Sequence, residues 1–285
     1  IDIVRQIYTG MVSTILPPVA ILGSGNMGGA ILSGLRAPGV DVESIRVTTR
    51  SATSAGKLRE DDVQAWSLEE KPEANAWALE QAGIVVLGVK PYQILELLTE
   101  IAPHANADAV MVSVAAGITI ESMESVWPGA VIRAMPNTPS RIGKGVTGMS
   151  TGSRVSATQT EMVERLFATI GEVLVVPQSQ INALGAFSGS GPAYVYFFME
   201  KFLEVALERG FSEQQAEVLV RGTFSGALTL LEKSGETPEA LRTAVTSPGG
   251  STRAALDVFD AAGLDEIIRE ATTAAIARAV EMAGE

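Results

Sequence analysis

Up to about residue 175 the chain alternates short β-branched runs with stretches of helical composition. Val19-Ala-Ile-Leu22, Ile45-Arg-Val-Thr-Thr49, Ile84-Val-Val-Leu-Gly-Val89 and Val110-Met-Val-Ser-Val114 read as buried strands, and Val131-Ile132 and Val173-Leu-Val-Val176 continue the series. Strands separated by helical stretches predict a parallel, doubly wound sheet with helices on both faces. Past Pro177 the pattern changes, and from Ser179 onward helices follow one another without a convincing strand. Ser212-Glu-Gln-Gln215 is a capping-box pattern, Thr237-Pro238-Glu239 puts proline at a first helical position, and Gly210, Gly235 and Gly263 fall where helices should stop. We therefore expect an α/β domain over 19–178, an all-α domain over 179–285, and an N-terminal extension over 1–18.

The helical half is strongly apolar. Ala193-Tyr-Val-Tyr-Phe-Phe-Met199 is apolar nearly all round, as is much of Val218 to Leu231. A helix apolar on every face must be buried on every face. About a hundred residues in a few helices struggle to do that alone, so this half is expected to pack against a second copy as a homodimer; the alternative is burial within one subunit. Tyr194, Tyr196, Phe197 and Phe198 read as core and interface.

Composition narrows the function. At 285 residues, 46% apolar and 19% charged, the chain holds enough material for one large or two ordinary domains with a real core. A net charge of −12 argues against a nucleic-acid binder, whose footprint is a basic face. With no cysteine and one histidine, His104, thiolate nucleophiles, disulfides and multi-histidine metal sites are excluded, so no metal is expected. His104 itself falls in a loop and reads as a surface residue. No apolar run reaches the roughly 18–20 residues that span a bilayer. Ile1 to Pro18 lacks the basic-then-apolar build of a signal peptide. The expectation is a soluble, cytoplasmic protein acting on a small molecule, with no membrane or nucleic-acid partner.

Gly23, Ser24, Gly25, Asn26, Met27 and Gly28 form a G-x-G-x-x-G directly after the first strand and open a helical stretch, the setting in which this pattern binds a dinucleotide. Gly23 permits the tight turn, Gly25 lets backbone approach a pyrophosphate, and Gly28 lets helix pack on strand, which makes the first domain Rossmann-type. An NAD-preferring site would carry an Asp or Glu at the end of the second strand; here stand Thr49, Arg50 and Ser51. An arginine with flanking hydroxyls suits a 2′-phosphate, so NADP(H) is the expected cofactor; the alternative for Arg50 is an exposed surface charge. Val89, Lys90 and Pro91 leave the third long strand at the edge that faces a cofactor, and Val114, Ala115 and Ala116 leave the next with side chains small enough to admit a flat ring.

Thr246-Ser247-Pro248-Gly249-Gly250-Ser251-Thr252 precedes a helical stretch that starts at Arg253. A glycine turn opening a helix leaves amides without internal partners at the positive end of the dipole, where carboxylates and phosphates bind. The alternative is an ordinary helix start capped by Ser or Thr.

With these pieces placed, the chain resembles the pyrroline-5-carboxylate reductase family. The matching segments are Gly23–Gly28, Val89-Lys-Pro91, Ser113-Val-Ala-Ala-Gly117, Arg133-Ala-Met-Pro-Asn-Thr-Pro139, Ser188-Gly-Ser-Gly-Pro-Ala-Tyr194 and Thr246–Thr252. The resemblance implies a Rossmann domain followed by an all-α dimerisation domain that interlocks with a partner's, and dimers that often assemble into decamers. It implies reduction of the cyclic imine Δ1-pyrroline-5-carboxylate to L-proline with NADPH or NADH. On this sequence it implies a pyrophosphate over residues 23–28 and the adenosine ribose near Thr49, Arg50 and Asn75. Val89, Lys90, Pro91, Val114, Ala115 and Ala116 would flank the nicotinamide. The substrate carboxylate would sit on the amides of Gly250, Ser251 and Thr252, with Ser247 and Gly249 in the same turn. The Thr252 hydroxyl, the catalytic contact, would bond the ring nitrogen while still capping its helix. Two rivals remain at this stage: a β-hydroxyacid dehydrogenase relying on a helical-domain lysine, for which Lys201 and Lys233 are the nearest, and a non-enzymatic nucleotide sensor.

Overall fold

The computed structural model describes residues 15–283. Its strands are β1 (Val19–Leu22), β2 (Ile45–Thr49), β3 (Gln64–Ser67), β4 (Ile84–Leu87), β5 (Val110–Ser113), β6 (Val131–Met135), β7 (Gly145–Thr151) and β8 (Gly171–Val175). Among the described residues they form one sheet in the order β3-β2-β1-β4-β5-β6-β7-β8. The helices between them are α1 (Asn26–Leu35), α2 (Ala52–Glu60), α3 (Ala74–Leu79), α4 (Ile94–Ile101), α5 (Ile120–Glu124) and α6 (Ala157–Ala168).

Period-2 alternation sorts the strand side chains into two cores. Ile21, Val47, Val86, Val112 and Ile132 face Ile31, Leu35, Ala55 and Phe167 on one side. Ala20, Leu22, Val85, Leu87 and Met111 face Leu79, Leu98, Ile101 and Met123 on the other. Strands buried on both faces read as continuous apolar runs, which is why β1, β4 and β5 stand out in the sequence.

Two strands escaped that reading. β3 pairs only with β2 at the sheet's edge, and its alternate residues are exposed, so Gln64-Ala-Trp-Ser67 carries little apolar signal. β7 breaks its apolar run with Gly145, Thr147 and Gly148, and at the glycines its neighbours press close: a Cβ on Gly148 would overlap the Leu184 side chain, and one on Gly145 would meet the Ile170 carbonyl at 2.9 Å. The sheet is also not wholly parallel. β7 runs antiparallel to β6, since the connection of residues 136–144 holds a 3₁₀ turn (Thr138–Ile142) but no crossover helix.

Of the extension expected over 1–18, residues 1–14 lie outside the described residues. The rest joins the sheet: Leu16 is 2% exposed, bridges Val42 in parallel and donates its amide to the Asp41 carbonyl.

Compactness divides the chain between Ser190 and Gly191, the described residues from Ala275 grouping with the first unit. The first unit thus also holds α7 (Gln178–Leu184) and a π turn at Gly185–Gly189. The second unit carries α8 (Gly191–Glu208), α9 (Glu213–Ser234), α10 (Pro238–Ala244), α11 (Ser251–Ala261) and the start of α12 (Leu264–Ala283). Punctuation there follows the expected signals. Ser212 and Gln215 close a capping box on α9, Thr237 caps α10 ahead of Pro238, and Gly210, Gly235 and Gly263 take positive φ of 91°, 70° and 65°. Val195, Tyr196, Phe197, Phe198 and Phe202 are all exposed, and none of the α8 side chains is buried within the chain itself. That removes burial within one subunit as the answer to this helix. No helix among the described residues is long and apolar enough to cross a membrane.

One ionic contact fastens the edge of the sheet to α2. The Glu70 carboxylate accepts from Arg59 at 2.7 Å and from the Ser67 hydroxyl at 2.7 Å, while Arg59 lies over the Trp66 ring. Arg59 first, then Ser67, hold the Glu70 carboxyl down from its ordinary 4.5 to about 2. A depressed carboxylate stabilises the fold fully above its unfolded pKa and loses that contribution as pH falls through the folded one. Glu70→Gln should therefore melt below the parent at pH 7, and the two melting curves should converge as pH falls from 4.5 toward 2. A gap of constant size over that range would show that the charge is not the source.

Candidate functional site

In-register parallel pairing brings the carboxyl ends of the central strands to one edge: Leu22 lies opposite Thr48 and Leu87, and Leu87 opposite Ser113. Loops leaving that edge of an open α/β sheet are where ligands bind. Most of the expected nucleotide residues sit on or beside them, while Thr49 ends β2 and Asn75 lies in α3.

Gly23 turns with φ of 96°, and its amide donates to the Thr48 carbonyl at 3.0 Å. Its own carbonyl oxygen is crowded from two sides. A Cβ on Gly28 or on Gly88 would collide with it. Gly25 is different: nothing lies within 4 Å of where its Cβ would be. Gly25 is also the N-cap of α1, with no side-chain cap, so the first amides of the helix face open space at the positive end of the dipole. Ser24 and Asn26 flank this mouth, while Met27 packs partly against the core. A bare glycine cradle fits a pyrophosphate.

Thr49 is buried and its hydroxyl donates to the Ser51 carbonyl at 2.9 Å, which shapes the turn that presents Arg50. Arg50 is exposed, and its guanidinium forms no ion pair among the described residues. Asn75 is buried at the start of α3; its side-chain carbonyl accepts from the Thr48 hydroxyl at 2.9 Å and its amide donates to Glu100 at 3.3 Å. It is thus bound into the wall beneath the loop. On the opposite side, Val89 packs partly on the core, Lys90 is exposed, and Pro91 begins a 3₁₀ turn. Val114 is half-buried, and the Ala115 amide donates to the Ser113 hydroxyl at 3.3 Å, leaving Ala116 part-exposed.

The second site lies within the helical unit. Gly249 takes φ of 71°, and the Gly250 amide donates to the Ser247 carbonyl at 3.0 Å. The positive φ turns the chain so that Gly250, not Ser or Thr, becomes the N-cap of α11, and no side chain caps the helix. The expected cap at Thr252 is therefore corrected, because Ser251 and Thr252 fall inside the first turn. The Gly250 amide is likewise engaged in the turn, leaving those of Ser251 and Thr252 to face outward. A Cβ on Gly250 would come within 2.5 Å of the Ser247 hydroxyl, so glycine is required for that hydroxyl to lie beside the helix mouth. The Thr252 side chain makes no hydrogen bond among the described residues. Arg253, next in line, is tied down its own helix to Asp257 and Asp260.

Sequence reasoning gave no role to Asn137. It is buried, accepts from the Val146 amide at 2.9 Å and donates to the Ser188 carbonyl at 2.9 Å, joining β7 and the π turn to the carboxyl end of β6. The signal was in the Arg133–Pro139 segment, but its partners are 9 and 51 residues away. Lys201 donates to Glu204 at 2.8 Å, and that carboxylate raises its pKa, whereas a lysine base needs a lowered one. His104 is exposed just past α4.

Residues 178–282 match the family model described as pyrroline-5-carboxylate reductase dimerisation, and residues 18–117 match one described as NADP oxidoreductase, coenzyme F420-dependent. A pyrroline-5-carboxylate reductase of Corynebacterium melassecola is 38% identical over 93% of this chain and 98% of its own length. The solved pyrroline-5-carboxylate reductase of Coxiella burnetii is 33% identical, covers 94% of this chain and 98% of its own, and superposes with a TM-score of 0.87. The pyrroline carboxylate reductase of Plasmodium falciparum, solved with NADP bound, shares the fold at 24% identity and a TM-score of 0.80, covering 95% and 100% of the two chains.

The two glycines of the cradle should respond differently to a methyl group. Gly25→Ala should keep its stability to within about 1 kcal/mol and bind a nicotinamide dinucleotide roughly fivefold or more weakly. Gly28→Ala should lose ~1–3 kcal/mol or more of stability. Denaturant unfolding alongside a fluorescence titration separates them, and unchanged binding by Gly25→Ala would refute the cradle.

Proposed function

The chain belongs to the pyrroline-5-carboxylate reductase family, and we propose on that premise that it reduces Δ1-pyrroline-5-carboxylate to L-proline, using NADPH in preference to NADH. The observation that carries the reading is the uncapped mouth of α11. It lies in the segment whose family model describes pyrroline-5-carboxylate reductase dimerisation, and it offers free amides and a free hydroxyl together.

The substrate presents a carboxylate one bond from its ring nitrogen-bearing carbon. The outward amides of Ser251 and Thr252, with the Ser247 hydroxyl beside them, hold that carboxylate at the positive end of the helix dipole. Gly249 and Gly250 supply the turn that makes room for it. Thr252 then has its hydroxyl free for the ring nitrogen. It accepts from the N–H of the iminium or donates to the amine formed, and is too weak an acid to deliver the proton itself. The imine carries its proton in from water, so the residues of this site position the ring and do not need a histidine or cysteine. When bound in the glycine cradle of α1, the nicotinamide dinucleotide supplies the hydride for the imine carbon. Val89, Lys90, Pro91, Val114, Ala115 and Ala116 form the walls on the nicotinamide side, and Thr49, Arg50 and Asn75 those on the adenosine side. Arg50 is the residue for a 2′-phosphate, which its planar fork grips with two bonds.

The exposed apolar residues of α8 and α9 support a homodimer, with a decamer as its higher assembly. We place the enzyme in the cytoplasm, where reductive synthesis draws on NADPH.

Oxidation of NADPH on addition of pyrroline-5-carboxylate, with proline as product, tests the reading directly; turnover of a 3-hydroxy acid in its place would favour a β-hydroxyacid dehydrogenase. Within the active enzyme, Thr252→Ala should lower kcat roughly 5- to 150-fold, the equivalent of one hydrogen bond worth ~1–3 kcal/mol. Thr252→Ser should retain most of the rate, and equal losses in the two variants would remove the hydroxyl from the mechanism. Arg50→Ala should reduce the NADPH-to-NADH preference in kcat/KM, and an unchanged ratio would reassign Arg50 to the bulk surface.

A further inference from the structure

The adenosine side of the nucleotide edge carries a carboxylate as well as an arginine. β3 lies parallel to β2 with Thr49 opposite Ser67, so the chain leaving β3 passes the turn that presents Arg50. The Leu68 amide donates to the Thr49 carbonyl at 2.9 Å and the Glu69 amide to the Arg50 carbonyl at 3.4 Å. Glu70 turns back to Arg59 and Ser67 and is held there. Glu69 is thereby fixed over the start of α2, where its carboxylate accepts from the Ala52 amide at 2.9 Å. Ser51, the N-cap of α2, already accepts from the Ser54 amide at 3.3 Å. The start of this helix therefore holds an anion of the protein's own, one residue past the Arg50–Ser51 turn. Both Glu69 and Arg50 are exposed, and the two side chains form no ion pair with each other among the described residues.

We propose that Glu69 is a specificity-determining residue for the nucleotide, set against Arg50. A 2′-phosphate held by Arg50 meets the Glu69 carboxylate as a like charge and finds the Ala52 amide taken. A ribose 2′-hydroxyl can instead donate to that carboxylate, the role an acid at the end of the second strand plays in NAD sites. Arg50 thus favours NADP(H) and Glu69 favours NAD(H), and their balance sets the preference. The proposal rests on the assignment of this edge to the nucleotide.

Binding of adenosine 2′,5′-bisphosphate and of 5′-AMP, followed by calorimetry, tests it without turnover. Glu69→Gln keeps an oxygen for the Ala52 amide and removes only the charge. It should bind the bisphosphate on the order of fivefold to tenfold more tightly at low salt, the factor expected for one unit charge ~4 Å from another in a hydrated site. AMP affinity should hold or fall slightly, and the gain should shrink at high ionic strength. Glu69→Ser should repeat the result with a shorter side chain. Arg50→Ala should lower bisphosphate affinity and leave AMP nearly unchanged. If the ratio of the two affinities is unmoved by both Glu69 variants while Arg50→Ala lowers it, the role of Glu69 is overturned and the nucleotide assignment stands. If the wild-type protein binds neither ligand, the assignment falls and the proposal with it.

Discussion

The Gly23 carbonyl oxygen is the point about which the working edge of the sheet is built. Gly28, on the helix that follows, and Gly88, at the end of β4, both face it at a distance that leaves no space for a Cβ. The Gly88 amide also donates to the Leu22 carbonyl at 2.8 Å, locking the two loops together. Because three backbones meet there without side chains, α1 starts close to the strand and directs its first amides over the edge. Everything proposed for the nucleotide follows from that approach. Thr49, Arg50 and Asn75 lie to one side of it, and the segments leaving β4 and β5 lie to the other.

The helix starts differ in how their first amides are satisfied. α5, α6, α9 and α10 each receive a Thr or Ser side-chain cap, with Gln159 and Gln215 completing capping boxes on α6 and α9. α1 and α11 begin instead at glycine with no side-chain cap. α3, α4 and α7 also lack a side-chain cap, so the missing cap does not by itself mark a site; what sets α1 and α11 apart is the glycine start, which leaves room beside the orphan amides for an acceptor from outside. α2 stands between the two cases: Ser51 caps it, and Glu69 supplies a second, charged acceptor.

The helical unit follows a different economy of surface. Its helices expose large apolar side chains that a lone chain would keep buried, Tyr196, Phe197 and Val218 among them. The match of residues 178–282 to a dimerisation family model gives that surface its purpose. Arg253 and Lys201, which stand out as charges in this unit, are held by neighbouring carboxylates on their own helices and are not free for chemistry.

Hydrophobic patterning and glycine placement were enough to determine the alternating α/β half, the all-helical half, the dinucleotide loop and the turn before α11. Those features are local: a strand buried on both faces reads as an apolar run, and a turn or helix stop reads as glycine at one position. β3 and β7 were not legible, since an edge strand is half exposed and β7 is interrupted by two glycines whose reason is the side chain of Leu184 and the backbone at Ile170. The antiparallel step at β6–β7, the clasp of Asn137 across 51 residues and the placing of Glu69 over α2 were likewise decided only in three dimensions. Even the opening of α11 depended on a backbone angle, as the positive φ at Gly249 passed the cap from Thr252 to Gly250. The sequence by itself determined along which elements the candidate residues lie. The tertiary structure decided which amides and carboxylates remain free to use, because satisfaction of a polar group depends on neighbours that sequence distance does not reveal.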